Sequence, residues 1–194
     1  MFSDASIRRV ANEVERLRCA IQSTFAVRHK GRAEHEAWHR ACTEFHSFEH
    51  DLFNLWDPAV LLEIRQASGV WRNTALLFLE VDPWFFRSGY LKEKLCHVLK
   101  QASLTPREAQ RVQEILLYAV TTRFRREFRS YSRLACLVWD KPFLDRLHQL
   151  TCAAETRTRV QARWMLEQIT QYRKIRPDKR SSLARTQKNS EISK

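Results

Sequence analysis

Glycine is nearly missing from this chain, with 3 residues in 194. There is no glycine-rich phosphate loop, no Rossmann fingerprint and no GxSxG elbow, so the common nucleotide and acyl-transfer sites are not indicated. The five cysteines, Cys19, Cys42, Cys96, Cys136 and Cys152, are odd in number, widely spaced and without a CxxC. That pattern argues against a disulfide framework or a thiolate zinc site and for a reducing compartment. No run approaches ~18 uncharged apolar residues, so no transmembrane helix is expected. Met1-Phe2-Ser3-Asp4 leads directly into a charged amphipathic pattern. No secretory signal is therefore expected, and a cytoplasmic location is the default. Strand signals are missing too: runs such as 75–79 (ALLFL) have the Leu and Ala content and the flanks of helices.

What the chain does have is punctuation for helix starts. Asp57-Pro58, Asp82-Pro83 and Thr105-Pro106 each put a capping side chain before a proline, and Asp140-Lys141-Pro142 is a looser version. Proline suits the first helical position, where its missing N–H would be unpaired anyway. Asp or Thr before it accepts a bond from an orphan backbone donor. Thr105-Pro106-Arg107-Glu108 reads as a full capping box.

These marks and the apolar spacing predict an all-α protein. A helix over 5–25 carries Ile7, Val10, Val14, Leu17 and Ile21 on one stripe. After a polar turn around Gly31, a second runs from Ala33 to Phe53, making an N-terminal hairpin of residues 1–53. Shorter helices follow at 58–67, 70–81, 90–101, 106–120, 125–138, 142–150 and 157–172. They form an array over 57–172, continuous with the hairpin. Residues 173–194 are polar and basic, too poor in hydrophobes to offset ordering entropy, so a disordered tail is expected.

The segment DKPFLDRLHQLTCAAETRTRVQARWMLEQI, beginning at Asp140, pairs an apolar face of Phe143, Leu144, Leu147 and Leu150 with one of Val160, Ala162, Trp164, Leu166 and Ile169. It resembles a HEAT-type helical hairpin. The segments 105–138, 57–81 and 83–101 share the outline, over about residues 57–170 in all. Their pitch falls below the ~40 residues usual for such repeats, so an irregular helical array is the alternative. The resemblance implies macromolecule binding through an extended face, by analogy of fold.

Charge is strong but local. The net charge is +12, and residues 173–194 alone hold 8 Lys/Arg against 2 Asp/Glu. Basic tails add salt-sensitive attraction to nucleic acid, or simply keep a chain soluble.

Three constellations invite a chemical reading. His35-Glu36-Ala37-Trp38-His39 is a literal HExxH, the zinc-protease pattern of two imidazoles one turn apart with a glutamate base. On one continuous helix His35, His39, Cys42, His46, Glu49 and His50 share a stripe about 100° wide. Cys42 stands where the metzincin extension has glycine, His46 comes one residue late, and no sheet accompanies the helix. Boundary histidines on an amphipathic helix are the simpler reading, with His35, Glu36 and His39 as the metal candidates. The second constellation is RFRREFRSYSR, residues 123–133. On a helix Arg125, Arg126, Arg129 and Arg133 share a face, suited to phosphate contacts; with Arg173, Lys174, Lys179 and Arg180 of the tail they are candidates for nucleic acid. The competing reading is a solvated outer face. The third is DPWFFRSGY, residues 82–90. Trp84, Phe85, Phe86, Arg87 and Tyr90 are residue types that dominate binding hot spots, or else an inter-helix plug.

No catalytic set or cofactor fingerprint stands out. The expectation is a non-enzymatic α-helical scaffold or adaptor with a macromolecular partner, protein or nucleic acid. A metal-dependent hydrolase is the remote alternative.

Overall fold

The computed structural model describes residues 2–122 and 125–175. Those residues form α1 (Asp4–Phe25), α2 (Arg32–Ser47), a 3-10 helix (Asp51–Trp56), α3 (Pro58–Gln66), α4 (Val70–Val81) and α5 (Ser88–Leu99). They continue with α6 (Pro106–Thr121), α7 (Phe128–Val138), α8 (Lys141–Leu150) and α9 (Thr156–Ile175). The fold is all-α. Among the described residues no helix is long and apolar enough to cross a membrane.

Most helix starts follow the local chemistry. Asp57 Oδ1 accepts from the Ala59 N–H at 2.7 Å and Asp140 Oδ1 from the Phe143 N–H at 2.9 Å. Thr105 and Glu108 exchange both bonds of the predicted capping box. Asp82-Pro83 does otherwise. Asp82 adopts a left-handed conformation (φ 47°) and ends α4, and α5 begins six residues later at Ser88. The segment 83–101 therefore supplies a single helix rather than a hairpin.

Helix ends are built differently. Glycine in the left-handed region is the usual way to satisfy the last carbonyls of a helix, and no described glycine has positive φ. Long side chains from other elements take over. Arg72, buried on α4, donates to the Ile64 and Arg65 carbonyls in the last turn of α3, at 2.8 and 3.1 Å. Gln161 of α9 donates to Ala119 and Val120 near the end of α6, at 3.0 and 3.1 Å. Gln113 of α6 reaches Val138, the last residue of α7, at 2.6 Å. Each bond relieves an orphan acceptor and ties two helices together.

Alternate helices stack in two layers. One runs α3, α5, α7, α9 and the other α1, α4, α6, α8. The hairpin pairs α3/α4, α6/α7 and α8/α9 join the layers. A continuous core from Ile7 on α1 to Ile169 on α9 fills the space between them. The N-terminal hairpin joins this array through α1, whose Ile7, Val10, Ala11 and Val14 belong to the core. In contrast, α2 buries only Ala41 fully and leans on α1 from outside.

Four expectations need correction. The second helix stops at Ser47, where Phe48 turns extended (ψ 110°). The chain then bends so that Leu52 and Leu55 of the 3-10 helix enter the core. The histidine stripe is broken there, because His50 lies beyond the bend and its Nδ1 accepts from the Leu52 N–H at 3.1 Å. The helix expected from 125 begins at Phe128, after a turn through Arg125–Glu127. Finally, α9 extends to Ile175, so Arg173 and Lys174 are its last turn rather than part of a tail. The remainder of the basic segment, with Lys179 and Arg180, lies outside the described residues.

Candidate functional site

The link from α4 to α5 is extended, so successive side chains point to opposite sides. Pro83 and Phe85 turn inward; Trp84 and Phe86 turn outward, 61% and 50% exposed. Phe85 meets Phe78 of α4 edge-on at 6.1 Å. A local ring of two hydrogen bonds closes the loop: the Phe85 N–H donates to Ser88 Oγ at 3.1 Å and the Ser88 N–H to the Phe85 carbonyl at 2.9 Å. That closure forces Arg87 into the left-handed region (φ 70°, ψ 2°). A residue with a Cβ is strained there by about 1 kcal/mol or more.

Phe86 and Arg87 stand between two recesses. The first, about 480 Å³, is walled by Phe45 and Phe48 at the end of α2, Phe53 and Trp56 of the 3-10 helix, and Phe85 and Phe86. Phe86 meets Phe45 at 5.9 Å and Phe48 meets Phe53 at 5.8 Å, both edge-on. Its charged or titratable lining is Arg87 and His46 alone. The second recess, about 340 Å³, lies between α1 and the α6–α7 turn, and Glu15, Arg18, Trp84, Tyr90, Arg125 and Arg126 line it together with Phe86 and Arg87. Arg18 covers the Trp84 ring and Arg126 the Tyr90 ring, at 5.8 and 3.9 Å from the ring centres.

Beneath the loop is a buried charge cluster. Lys92, fully buried on α5, donates to Asp82 Oδ1 and stands 3.8 Å from Glu127 Oε1. Arg125 donates to the other Asp82 oxygen at 3.0 Å. Burial pushes the Lys92 ammonium below its ordinary pKa, and the carboxylates of Asp82 and Glu127 oppose that shift. Gly89 opens the way for this contact, since a Cβ there would come within 3.3 Å of Glu127 Oε2.

The predicted arginine face is thus divided. Arg125 is spent on Asp82, and Arg126 pairs with Glu93 at 3.1 Å while covering Tyr90. Arg129 and Arg133 are exposed on α7. The turn at 125–127 causes the division, because it aims the first two arginines back toward the α4–α5 link. Two sequence candidates, the aromatic segment and half of the arginine run, come together at one place.

The HExxH residues do not converge. His35, Glu36 and His39 are exposed on α2. Arg32 donates to Glu36 at 2.7 Å, and His35 packs against Trp38. Among the described residues no group of three or more His, Cys, Asp or Glu side chains is arranged to hold a metal ion.

Phe45, Phe48, Phe53 and Trp56, none of them among the candidates read from the sequence, make most of the first recess. Their concentration between 45 and 56 is the signal that could have marked them. No family model matches this chain, and no curated protein or solved structure matches it either.

Proposed function

We propose that this protein is a non-enzymatic adaptor that binds a partner protein through the aromatic groove beside Phe86 and Arg87. The two-layer stacking of α3–α9 supports reading the array as a HEAT-like scaffold that holds this groove rigid. The observation that carries the proposal is Arg87. It is exposed, held in a strained backbone conformation, and has no carboxylate partner among the described residues, although most arginines around it do. Non-glycine strain of this kind concentrates at functional sites. The partner is therefore a segment with a large apolar side chain for the aromatic recess and an adjacent Asp or Glu for Arg87. Protein is favoured over nucleic acid here, because the groove itself is walled by aromatic rings with Arg87 and His46 as its charged or titratable lining, which suits one apolar side chain beside one acid rather than a row of phosphates.

The test is selection of a displayed library of random 12-residue peptides on the full chain. The expected enrichment is an aromatic or Leu residue next to an acid, with binding lost on Phe86→Ser and weakened at least ~10-fold by Arg87→Glu. Peptides of no common chemistry, or variants that bind them unchanged, would refute the reading.

A further inference from the structure

The recess on the far side of Phe86 has a lining unlike that of the groove. Trp84, Phe86 and Tyr90 all line it, and each is at least half exposed. They are three of the nine exposed large hydrophobic side chains among the described residues, gathered within seven positions, whereas the other six are scattered along the chain. Single exposed apolar residues need no explanation, but a gathered patch marks an interaction surface. Arg18 lies over the Trp84 ring and Arg126 over the Tyr90 ring, so cations brace both rings while each keeps exposed area for a guest.

Charge in this recess is mixed. Arg18, Arg87, Arg125 and Arg126 line it, and so do Glu15 and Glu127. An entering carboxylate or phosphate meets two carboxylates, and an entering ammonium meets four guanidinium groups. Glu15 adds a more specific feature. Its Oε2 accepts from Arg18 Nε at 3.0 Å, but its Oε1 is buried without a hydrogen-bond partner among the described residues. An acceptor left in that state costs free energy that a donor would recover.

We infer that this recess is a second anchor site for the same partner segment and takes a tyrosine or tryptophan side chain. The inference rests on the adaptor reading, because Phe85, Phe86 and Arg87 line both recesses, and a segment seated in one passes over them into the other. A neutral ring suits the aromatic walls and the mixed charge. Its O–H or indole N–H supplies the donor for Glu15. Rotation of the side chains that cover Oε1, an ordinary event at binding interfaces, admits it. Phenylalanine and leucine have no such donor, so the two recesses differ in preference. Spacing follows from the wall between them. Guest rings packed on opposite sides of Phe86, each at roughly 5 Å, lie about 10 Å apart. An extended chain covers that distance in about three residues at ~3.3 Å each. The acid for Arg87, which lines both recesses, then falls between the anchors.

The experiment sequences the 12-residue peptides selected on the full chain and measures their binding by fluorescence anisotropy. The expected result is Tyr or Trp three positions from the aromatic or Leu residue, in either chain direction, with the acid between. Replacing that Tyr by Phe in a synthetic peptide is expected to weaken binding at least ~5-fold to the parent but less than ~2-fold to Glu15→Ala. Trp84→Ser/Tyr90→Ser is expected to bind the parent's peptides at least ~10-fold more weakly, and selection repeated on it should lose the second anchor. Thermal unfolding verifies that the variants fold. Should the double variant unfold, Glu15→Ala decides, since the Tyr-to-Phe difference is read within one folded protein. The inference fails while the adaptor reading stands if the peptides keep the aromatic–acid pair but show no preference at a second position, or prefer Lys, Arg or another acid there. It fails equally if Glu15→Ala leaves the Tyr-to-Phe difference intact. Binding untouched by both Phe86→Ser and Arg87→Glu would overturn the adaptor reading and this inference with it.

Discussion

Lys92, without exposed surface, donates to the carboxylate of Asp82, the left-handed residue that ends α4. This pair anchors the base of the aromatic loop, with Arg125 and Glu127 completing the cluster. Burying charge is costly unless it is paired, and removing one partner leaves the other uncompensated. Lys92→Met should therefore destabilise the protein by about 3 kcal/mol, read as a lower urea midpoint. A change under ~0.5 kcal/mol would mean the cluster is solvated enough to dispense with its cation.

Arg87 gives a prediction of opposite sign. Glycine adopts φ 70° without strain, and the Arg87 side chain is exposed. Arg87→Gly is expected to raise stability by about 1 kcal/mol while weakening selected acidic peptides. Loss of both stability and binding would show that the arginine is structural.

Neighbouring phenylalanines should separate folding from binding. Phe85 is buried and Phe86 half exposed. Phe85→Ala is expected to cost about 3 kcal/mol or more. Phe86→Ser should stay within ~0.5 kcal/mol of the parent yet abolish groove binding, as denaturation and peptide titration of the two variants would establish.

Glu108 joins a capping box to the tertiary structure. Its carboxylate accepts from Ser68 Oγ at 2.7 Å and the Thr105 N–H at 2.8 Å, and faces buried Arg72 at 3.4 Å. Burial pushes its pKa up, but the Thr105 and Ser68 hydrogen bonds and Arg72 together hold it below the ordinary value. A lowered folded pKa means a contribution fully present above the unfolded value, about 4.3, and lost as pH falls through the folded one. Stability should thus decline below about pH 4.3, and the gap between the parent and Glu108→Gln should narrow over that range in urea titrations.

Thr105→Ala removes the other half of the box and should cost about 1 kcal/mol without altering peptide binding at the groove. Circular dichroism melts compared with peptide titration would verify this.

Helix positions were largely legible, because apolar spacing and N-terminal caps act within three or four residues. Asp57, Thr105 and Asp140 all cap helices where their local sequence says they should. The site was only half legible. Trp84 to Tyr90 stood out as an aromatic segment, but its inward and outward alternation depends on Asp82 and Arg87, two non-glycine residues in left-handed conformations that no local signal announces. The arginine run forms one face only if 125–127 are helical, and α7 begins at Phe128. Glu127 is instead drawn into the charge cluster around Lys92, and the turn this requires divides the run.

The sequence by itself determined the all-α class, the starts of most helices and the uneven charge, since each depends on residues close together in the chain. Only the tertiary structure decided where helices end and what meets around them. With so little glycine, the terminal carbonyls near Ile64, Val120 and Val138 are satisfied by Arg72, Gln161 and Gln113 from other elements or other turns of the chain. Those bonds, like the aromatic groove and the meeting of Glu15 with Trp84 at the second recess, join residues far apart in sequence, and such contacts exist only once the helices have packed.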